Sequence, residues 1–209
     1  MIILFAFCIL AYLLGSIPTS VWVSKWFYGI DIRQFGSGNA GTTNTFRVLG
    51  TKAAIPVFLF DVFKGFILPF LAHHNINMFP NVNDVFLYPI IVGVFAVLGH
   101  IFPIFAEFKG GKGVATLLGM TLGICLIPAS FAFVVFIIVF LLFRYVSLGS
   151  LTAGIFFPVF VFFFTNYSIS LIIFSIVALI LLIYTHRTNI SRLINGTENK
   201  IIFNKTKEV

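Results

Sequence analysis

Thirty consecutive residues, 114–143, pass without one charged side chain and with only Pro128 as a break. Similar apolar runs lie at Ile2–Val23, Ala53–His73, Val85–Phe105, Ser147–Thr165 and Ser168–Thr185. Of the 209 residues, 60% are hydrophobic and 9% are charged, where a soluble domain carries about 25% charge. One small core cannot hide that much hydrocarbon from water, so the bilayer is the natural solvent for this chain. The 29 phenylalanines then need no explanation beyond lipid contact.

The long run itself is informative. At about 1.5 Å per residue it exceeds one upright crossing, and it predicts two short tilted helices with a turn near Ile127–Ser130. Charge placement supports the split. Seven spans with the N-terminus outside put 12 of the 13 lysines and arginines on the cytoplasmic side, and the remaining one, Lys64, lies within a span. A single long helix would instead put the basic C-terminal segment outside, against the positive-inside tendency. The expectation is therefore an all-α polytopic membrane protein of about seven transmembrane helices, with a cytoplasmic C-terminus. Residues 1–203 read as one membrane-embedded domain and 204–209 as a tail.

Several function classes are disfavoured at once. The net charge of +7 is accounted for by cytoplasmic loops, and no aromatic-and-basic stretch resembles a strand-binding platform. Cys8 and Cys125 fall in apolar spans and suggest neither a disulfide nor a metal site. The first apolar run lacks a basic leader and reads as a retained span. The acidic residues Asp31, Asp61, Asp84, Glu107, Glu198 and Glu208 form no close pair, so neither metal catalysis nor a metal or other cofactor is indicated. No His is followed five positions later by Asp, as an H-x-x-x-x-D acyltransferase would require.

Three polar islands gather on the cytoplasmic side under this layout. Phe35–Arg47, FGSGNAGTTNTFR, combines glycines with Ser37, Asn39, Thr43, Asn44 and Arg47. Glycine lets backbone N–H groups approach an anion, and arginine offers a fork suited to phosphate oxygens. Gly99–Thr116 contains Gly110, Gly111, Lys112 and Gly113 ahead of an apolar helix. The spacing is not that of a Walker A loop, yet loop amides, a lysine and a helix N-terminus make a sensible phosphate cradle. His186–Glu198 places His186, Asn189 and Arg192 three residues apart, on one face if the last helix continues. His186 there can act as a proton acceptor or a phosphate ligand, and Glu198 can orient a basic or hydroxyl partner.

Two details point to a buried polar centre. Asp61 and Lys64 stand three apart inside a span and read first as a structural ion pair, second as loop support. Gly15–Ser20, GSIPTS, interrupts the first span and predicts a kink.

Together the islands resemble the bacterial acyl-phosphate:glycerol-3-phosphate acyltransferase family, PlsY. The family pattern G-S-x-N-x-G-x-T-N-x-x-R is matched from Gly36 to Arg47. G-H-…-F-x-G-G-K-G-V-A-T is matched from Gly99 to Thr116, and H-R-x-N-…-R-…-G-x-E from His186 to Glu198. The GSIPTS and DVFKG stretches are similar as well. The resemblance implies transfer of a fatty acyl group from acyl phosphate to the sn-1 hydroxyl of glycerol 3-phosphate in the bacterial inner (cytoplasmic) membrane. The products are lysophosphatidic acid and inorganic phosphate, made for phospholipid biosynthesis. It also implies a functional link to an acyl-phosphate-forming enzyme. It assigns Ser37, Asn39, Thr43, Asn44, Arg47, Lys112, His186, Asn189 and Glu198 to the site, with Ser37, Lys112, His186 and Asn189 in catalysis.

The residues agree with that chemistry. Both substrates carry phosphate, and the islands supply more than one set of anion donors. Acyl phosphate is already activated, and no G-x-S-x-G elbow is present, so a serine nucleophile is not expected. What remains is positioning, charge stabilisation and removal of the hydroxyl proton, either by His186 or by a substrate phosphate oxygen. Which group of donors takes which phosphate stays open. A transporter of phosphorylated metabolites is the rival class, but it would place its donors near mid-membrane.

Overall fold

The computed structural model describes residues 1–79, 83–166 and 168–201, and every regular element among them is helical. The chain forms two compact units, the first Met1–Ile124 and the second beginning at Cys125.

In the first unit α1 (Ile2–Gly15) and α2 (Thr19–Tyr28) are separated by the GSIPTS interruption, with Pro18 capping α2. The short α3 (Thr42–Leu49) leads into α4 (Thr51–His74), and α5 (Leu87–Ile101) and α6 (Val114–Ile124) follow. Missing side chains hold these helices together. A Cβ on Gly65 would strike the Thr116 carbonyl, and one on Gly119 the Val62 carbonyl, so α4 and α6 meet backbone to backbone. Gly15 against Ala96 and Gly99 against Tyr12 do the same for α1 and α5. In lipid, such close approach supplies the packing attraction that the hydrophobic effect supplies in water. Leu4, Cys8, Ala11, Ala72, Tyr88, Val92 and Ala96 form the core between α1, α4 and α5.

In the second unit α7 (Leu126–Phe143), α8 (Val146–Phe164) and α9 (Ile169–Thr185) run in sequence, and α10 (Arg187–Ile194) ends the helical part. Phe131 packs on Phe160 and Phe164, and Gly149 lies against Phe136. Outward-facing Leu142, Phe163 and Ile169 are more than 70% exposed, as lipid-facing side chains are.

Five helical segments among the described residues are long and apolar enough to cross a membrane: Ile2–Tyr28, Thr51–His74, Leu87–Ala106, Leu126–Phe143 and Val146–Phe164. A sixth is reached if Ile169–Thr185 and Arg187–Ile194 count as one bent span. The uncharged run is divided as its length demands, but at Cys125 and not near Ile127–Ser130. Pro128 sits in the first turn of α7, where its missing N–H would have had no partner, so it does not break the helix. α6 has 11 residues, about 16 Å, which is short of the ~30 Å hydrocarbon layer. The expected 204–209 tail lies outside the described residues.

Candidate functional site

The first island is a loop with its own small core. Val21, Ile32 and Ala40 are buried together against Val48 and Leu49. The Asp31 carboxylate accepts from the Arg33 backbone N–H, Nε and Nη2 at 3.1, 2.9 and 2.7 Å, and it pairs with Lys25 Nζ at 3.2 Å. These Arg33 hydrogen bonds hold the Asp31 carboxyl well below the usual carboxylate range, and Asp31 in turn raises Arg33. Arg33 Nη1 donates to the Ala106 carbonyl at 3.2 Å, which ties this loop to the second island.

Asn44 secures the other side of the loop. Its Nδ2 donates to the carbonyls of Ile32 at 3.1 Å and Phe35 at 3.0 Å, and its Oδ1 accepts from the Ser37 N–H at 2.8 Å. Both amide hydrogens are thereby committed to backbone. Gly36 has φ 61°, and a Cβ there would strike the Asn44 side chain. Ser37, Asn39 and Thr43 lie partly buried along the segment that Asn44 shapes, and Arg47 is partly buried in the last turn of α3.

The second island folds back over the C-terminal end of α5. The N–H of Gly110 donates to the Ile101 carbonyl at 3.2 Å and that of Gly111 to the His100 carbonyl at 3.3 Å. These two amides, expected to face a phosphate, satisfy carbonyls that the helix end leaves without partners. The glycines are needed because the backbone passes so close: Gly110 lies on the His100 carbonyl, and Gly111 lies between Ala40 and the His100 ring. Gly113, at φ 78°, turns the chain into α6, and its carbonyl accepts from Leu117 N–H at 2.7 Å. Glu107 and Phe108 both hold φ 58°, a costly conformation for residues with side chains. Hydrogen bonds from Phe108 to Pro103 and from Lys109 to Ala106 keep them there.

Beneath this loop lies a polar chain buried among the helices. Asp61 Oδ1 is 2.8 Å from Lys64 Nζ and accepts from Thr19 Oγ1 at 3.2 Å. Lys64 Nζ donates to the Ile17 carbonyl at 3.0 Å. His100 Nδ1 is 3.7 Å from Asp61 Oδ1 and 3.1 Å from Thr116 Oγ1. The ion pair read from the sequence is present.

The third island belongs to the second unit. The helix does not continue straight. It bends by 63° between α9 and α10, and His186 is the joint. His186 Nδ1 lies 2.9 Å from the Leu182 carbonyl. A carbonyl only accepts, so Nδ1 carries the proton in the neutral ring and Nε2 carries the lone pair. One turn on, Asn189 Nδ2 donates to Glu198 Oε1 at 2.8 Å, and Ser147 Oγ donates to the same oxygen at 3.1 Å. His186, Asn189, Glu198 and Ser147 are all buried, whereas Arg192 is partly exposed on α10. The Ile201 N–H donates to the Arg144 carbonyl at 2.9 Å, fixing the segment that carries Glu198.

The structure thus joins the first two islands within one unit and organises the third within the other. Sequence reasoning passed over Ser147, Arg33 and Thr116. Ser147 read as an ordinary span residue, Thr116 as the last residue of the second island with no role of its own, and Arg33 as one cytoplasmic charge among twelve. Among the described residues, no group of three or more His, Cys, Asp or Glu is placed to hold a metal ion.

Residues 5–196 match the family model described as glycerol-3-phosphate acyltransferase. The protein of that name from Chlorobium chlorochromatii (strain CaD3) is 41% identical over 98% of this chain and 100% of its own. The one from Chlorobaculum parvum (strain DSM 263 / NCIMB 8327) is 43% identical over 98% and 99%. The fold is similar to the crystal structure of PlsY (YgiH), an integral membrane glycerol 3-phosphate acyltransferase, in its glycerol 3-phosphate form. That match has a TM-score of 0.86 and 40% identity over 95% of this chain and 96% of that one. Against the lysophosphatidic acid form the TM-score is 0.82, at 40% identity over 96% of each.

Proposed function

This chain belongs to the glycerol-3-phosphate acyltransferase family, and on that premise we propose that its acyl donor is an acyl phosphate. The protein is a multi-pass membrane acyltransferase that acylates glycerol 3-phosphate to lysophosphatidic acid. In the proposed reaction the sn-1 hydroxyl oxygen attacks the acyl carbon. The bond from that carbon to the phosphate oxygen breaks, and inorganic phosphate leaves. The membrane is the bacterial cytoplasmic membrane, with the three islands facing the cytoplasm. A separate reaction that phosphorylates a fatty acyl group must supply the donor.

The observation that carries the chemistry is the hydrogen bond from His186 Nδ1 to the Leu182 carbonyl. It orients the ring and leaves Nε2 as the basic nitrogen, suited to take the hydroxyl proton. Asn189, steadied by Glu198 and Ser147, is the proposed hydrogen-bonding partner of a substrate oxygen. Ser37, Asn39, Thr43 and Arg47, on the loop that Asn44 shapes, are proposed phosphate ligands. Lys112 is another, placed on the loop whose Gly110 and Gly111 amides are held elsewhere. Arg192 adds positive charge on the second unit. An acyl phosphate already has a good leaving group, so these positioning and electrostatic roles suffice without a covalent intermediate.

The experiment supplies purified protein with labelled glycerol 3-phosphate and one donor at a time: acyl phosphate, acyl-CoA or acyl carrier protein. Lysophosphatidic acid with equimolar phosphate release, from acyl phosphate alone and in the presence of a chelator, is the expected result. Turnover with acyl-CoA and none with acyl phosphate would overturn the donor assignment.

A further inference from the structure

We propose that His100, anchored by the membrane-buried Asp61–Lys64 pair, is a positioning residue for acyl transfer that fixes where the loop presents Lys112. The inference rests on the reading of Lys112 as a phosphate ligand. His100 is 6% exposed and engages three segments at once. Its carbonyl accepts the Gly111 N–H, its ring edge lies against Gly111, and its Nδ1 meets Thr116 Oγ1 at 3.1 Å in the first turn of α6. The residue before Lys112 and the helix that starts after it are therefore both tied to one residue, the first by its carbonyl and its ring edge and the second by its ring nitrogen.

That side chain in turn lies beside a buried ion pair, with Nδ1 3.7 Å from Asp61 Oδ1. Asp61 and Lys64 are each 1% exposed. Lys64 bridges Asp61 and the Ile17 carbonyl in the α1–α2 break, and Thr19 at the start of α2 donates to Asp61. A buried ion pair is a poor source of net stability, because desolvation offsets its attraction. It is a strict source of geometry, because either charge left alone among the helices is costly. The glycine contacts between α4 and α6 are non-directional, and helices packed that way can slide or rotate slightly. The directional bonds that Lys64 and Thr19 make to Ile17 and Asp61, and that between His100 and Thr116, limit that freedom at the level of the loop, and the Asp61 carboxylate lies 3.7 Å from His100 Nδ1 between them. A phosphate ligand displaced by about 1 Å forfeits much of its effect, so this anchoring bears on substrate affinity.

The test is steady-state kinetics on the purified full chain with both substrates varied. Lys112→Ala first identifies the substrate whose phosphate Lys112 holds, as the one whose KM rises about tenfold or more. His100→Leu and Thr116→Val are then expected to raise that same KM about fivefold, with kcat and the other KM within about twofold. His100→Asn keeps a hydrogen-bonding atom near the place of Nδ1, and it should recover most of the loss. In the Lys112→Ala background the two substitutions should add less than about twofold, because they act through the group already removed. A merely structural role would instead give full additivity, equal rises in both KM values, or a fall in kcat alone, and any of these overturns the proposal. So does an unchanged KM in both variants while Lys112→Ala raises it. If Lys112→Ala itself changes neither KM, the phosphate reading of Lys112 has failed and takes this inference with it. Should His100→Leu give no folded protein, Thr116→Val decides the matter alone.

Discussion

Glu198 holds Asn189 by a 2.8 Å hydrogen bond to Oε1, and Ser147 donates to the same oxygen. One buried carboxylate thus joins the C-terminal segment, the start of α8 and the first turn of α10. Hydrogen bonds to a charged acceptor contribute about 1.5–3 kcal/mol each. Glu198→Ala should therefore cost about 3 kcal/mol or more and abolish activity by releasing Asn189. Glu198→Gln keeps an acceptor oxygen for both donors and should remain folded. Thermal unfolding in detergent, read beside turnover, checks the order wild type, Gln, Ala.

Asn44 was expected to touch substrate, but its amide is committed to Ile32, Phe35 and Ser37. Asn44→Asp keeps an acceptor for the Ser37 N–H and loses both donors to carbonyls. Leaving buried carbonyls unpaired costs about 1–3 kcal/mol each. The expected result is a lowered melting temperature with activity falling in step, for Asn44→Asp at least as severely as for Asn44→Ala. A large KM increase at unchanged stability would instead mean direct substrate contact.

The Asp31–Arg33 pair gives a pH dependence with a definite sign. The Asp31 carboxyl is lowered in the folded protein from an ordinary value of about 3.9. Its stabilisation is therefore fully present at neutral pH and fades as pH falls through the folded value. Asp31→Asn should melt earlier than wild type at pH 7, with the gap narrowing progressively below about pH 4. A gap independent of pH would refute the account.

These cases show what the sequence could and could not disclose. The apolar runs announced the spans because bilayer thickness fixes their length, and the islands stood out because lipid tolerates polar residues only for cause. Pro128 misplaced the α6–α7 break because the penalty of proline depends on its distance from a helix start, which composition does not specify. The straight continuation through His186 failed for a related reason: nothing local to HRTN records a 63° bend. The destination of the Gly110 and Gly111 amides was hidden too, since a glycine permits close backbone approach without naming what approaches. Arg33 reaching Ala106 spans 73 residues, and no local pattern encodes such a pairing.

Packing between α4 and α6 leads to a further expectation. Gly65 lies against the Thr116 carbonyl, and Gly119 against that of Val62, both backbone atoms that cannot rotate aside. Overpacking by a methyl group costs about 1–3 kcal/mol. Gly119→Ala and Gly65→Ala should both destabilise by that order in thermal unfolding. Gly65→Ala should also disturb activity more, because it pushes on the residue that bonds His100. Equal losses of activity at equal stability would sever that link.

His186 offers the sharpest separation of mechanisms. Its Nδ1–H is fixed on the Leu182 carbonyl, so the only ring atom suited to take a proton is Nε2. His186→Gln retains a polar side chain but has no basic nitrogen. If His186 removes the hydroxyl proton, kcat should fall by about 10²–10⁴-fold, the usual contribution of a general base, with both KM values little changed. If a substrate phosphate oxygen takes the proton and His186 only binds, the loss should fall mainly on one KM and kcat should stay within about tenfold. Initial rates over a grid of both substrate concentrations distinguish the two outcomes, because the hydrogen bond that orients the ring is lost in either case while the lone pair matters in only one.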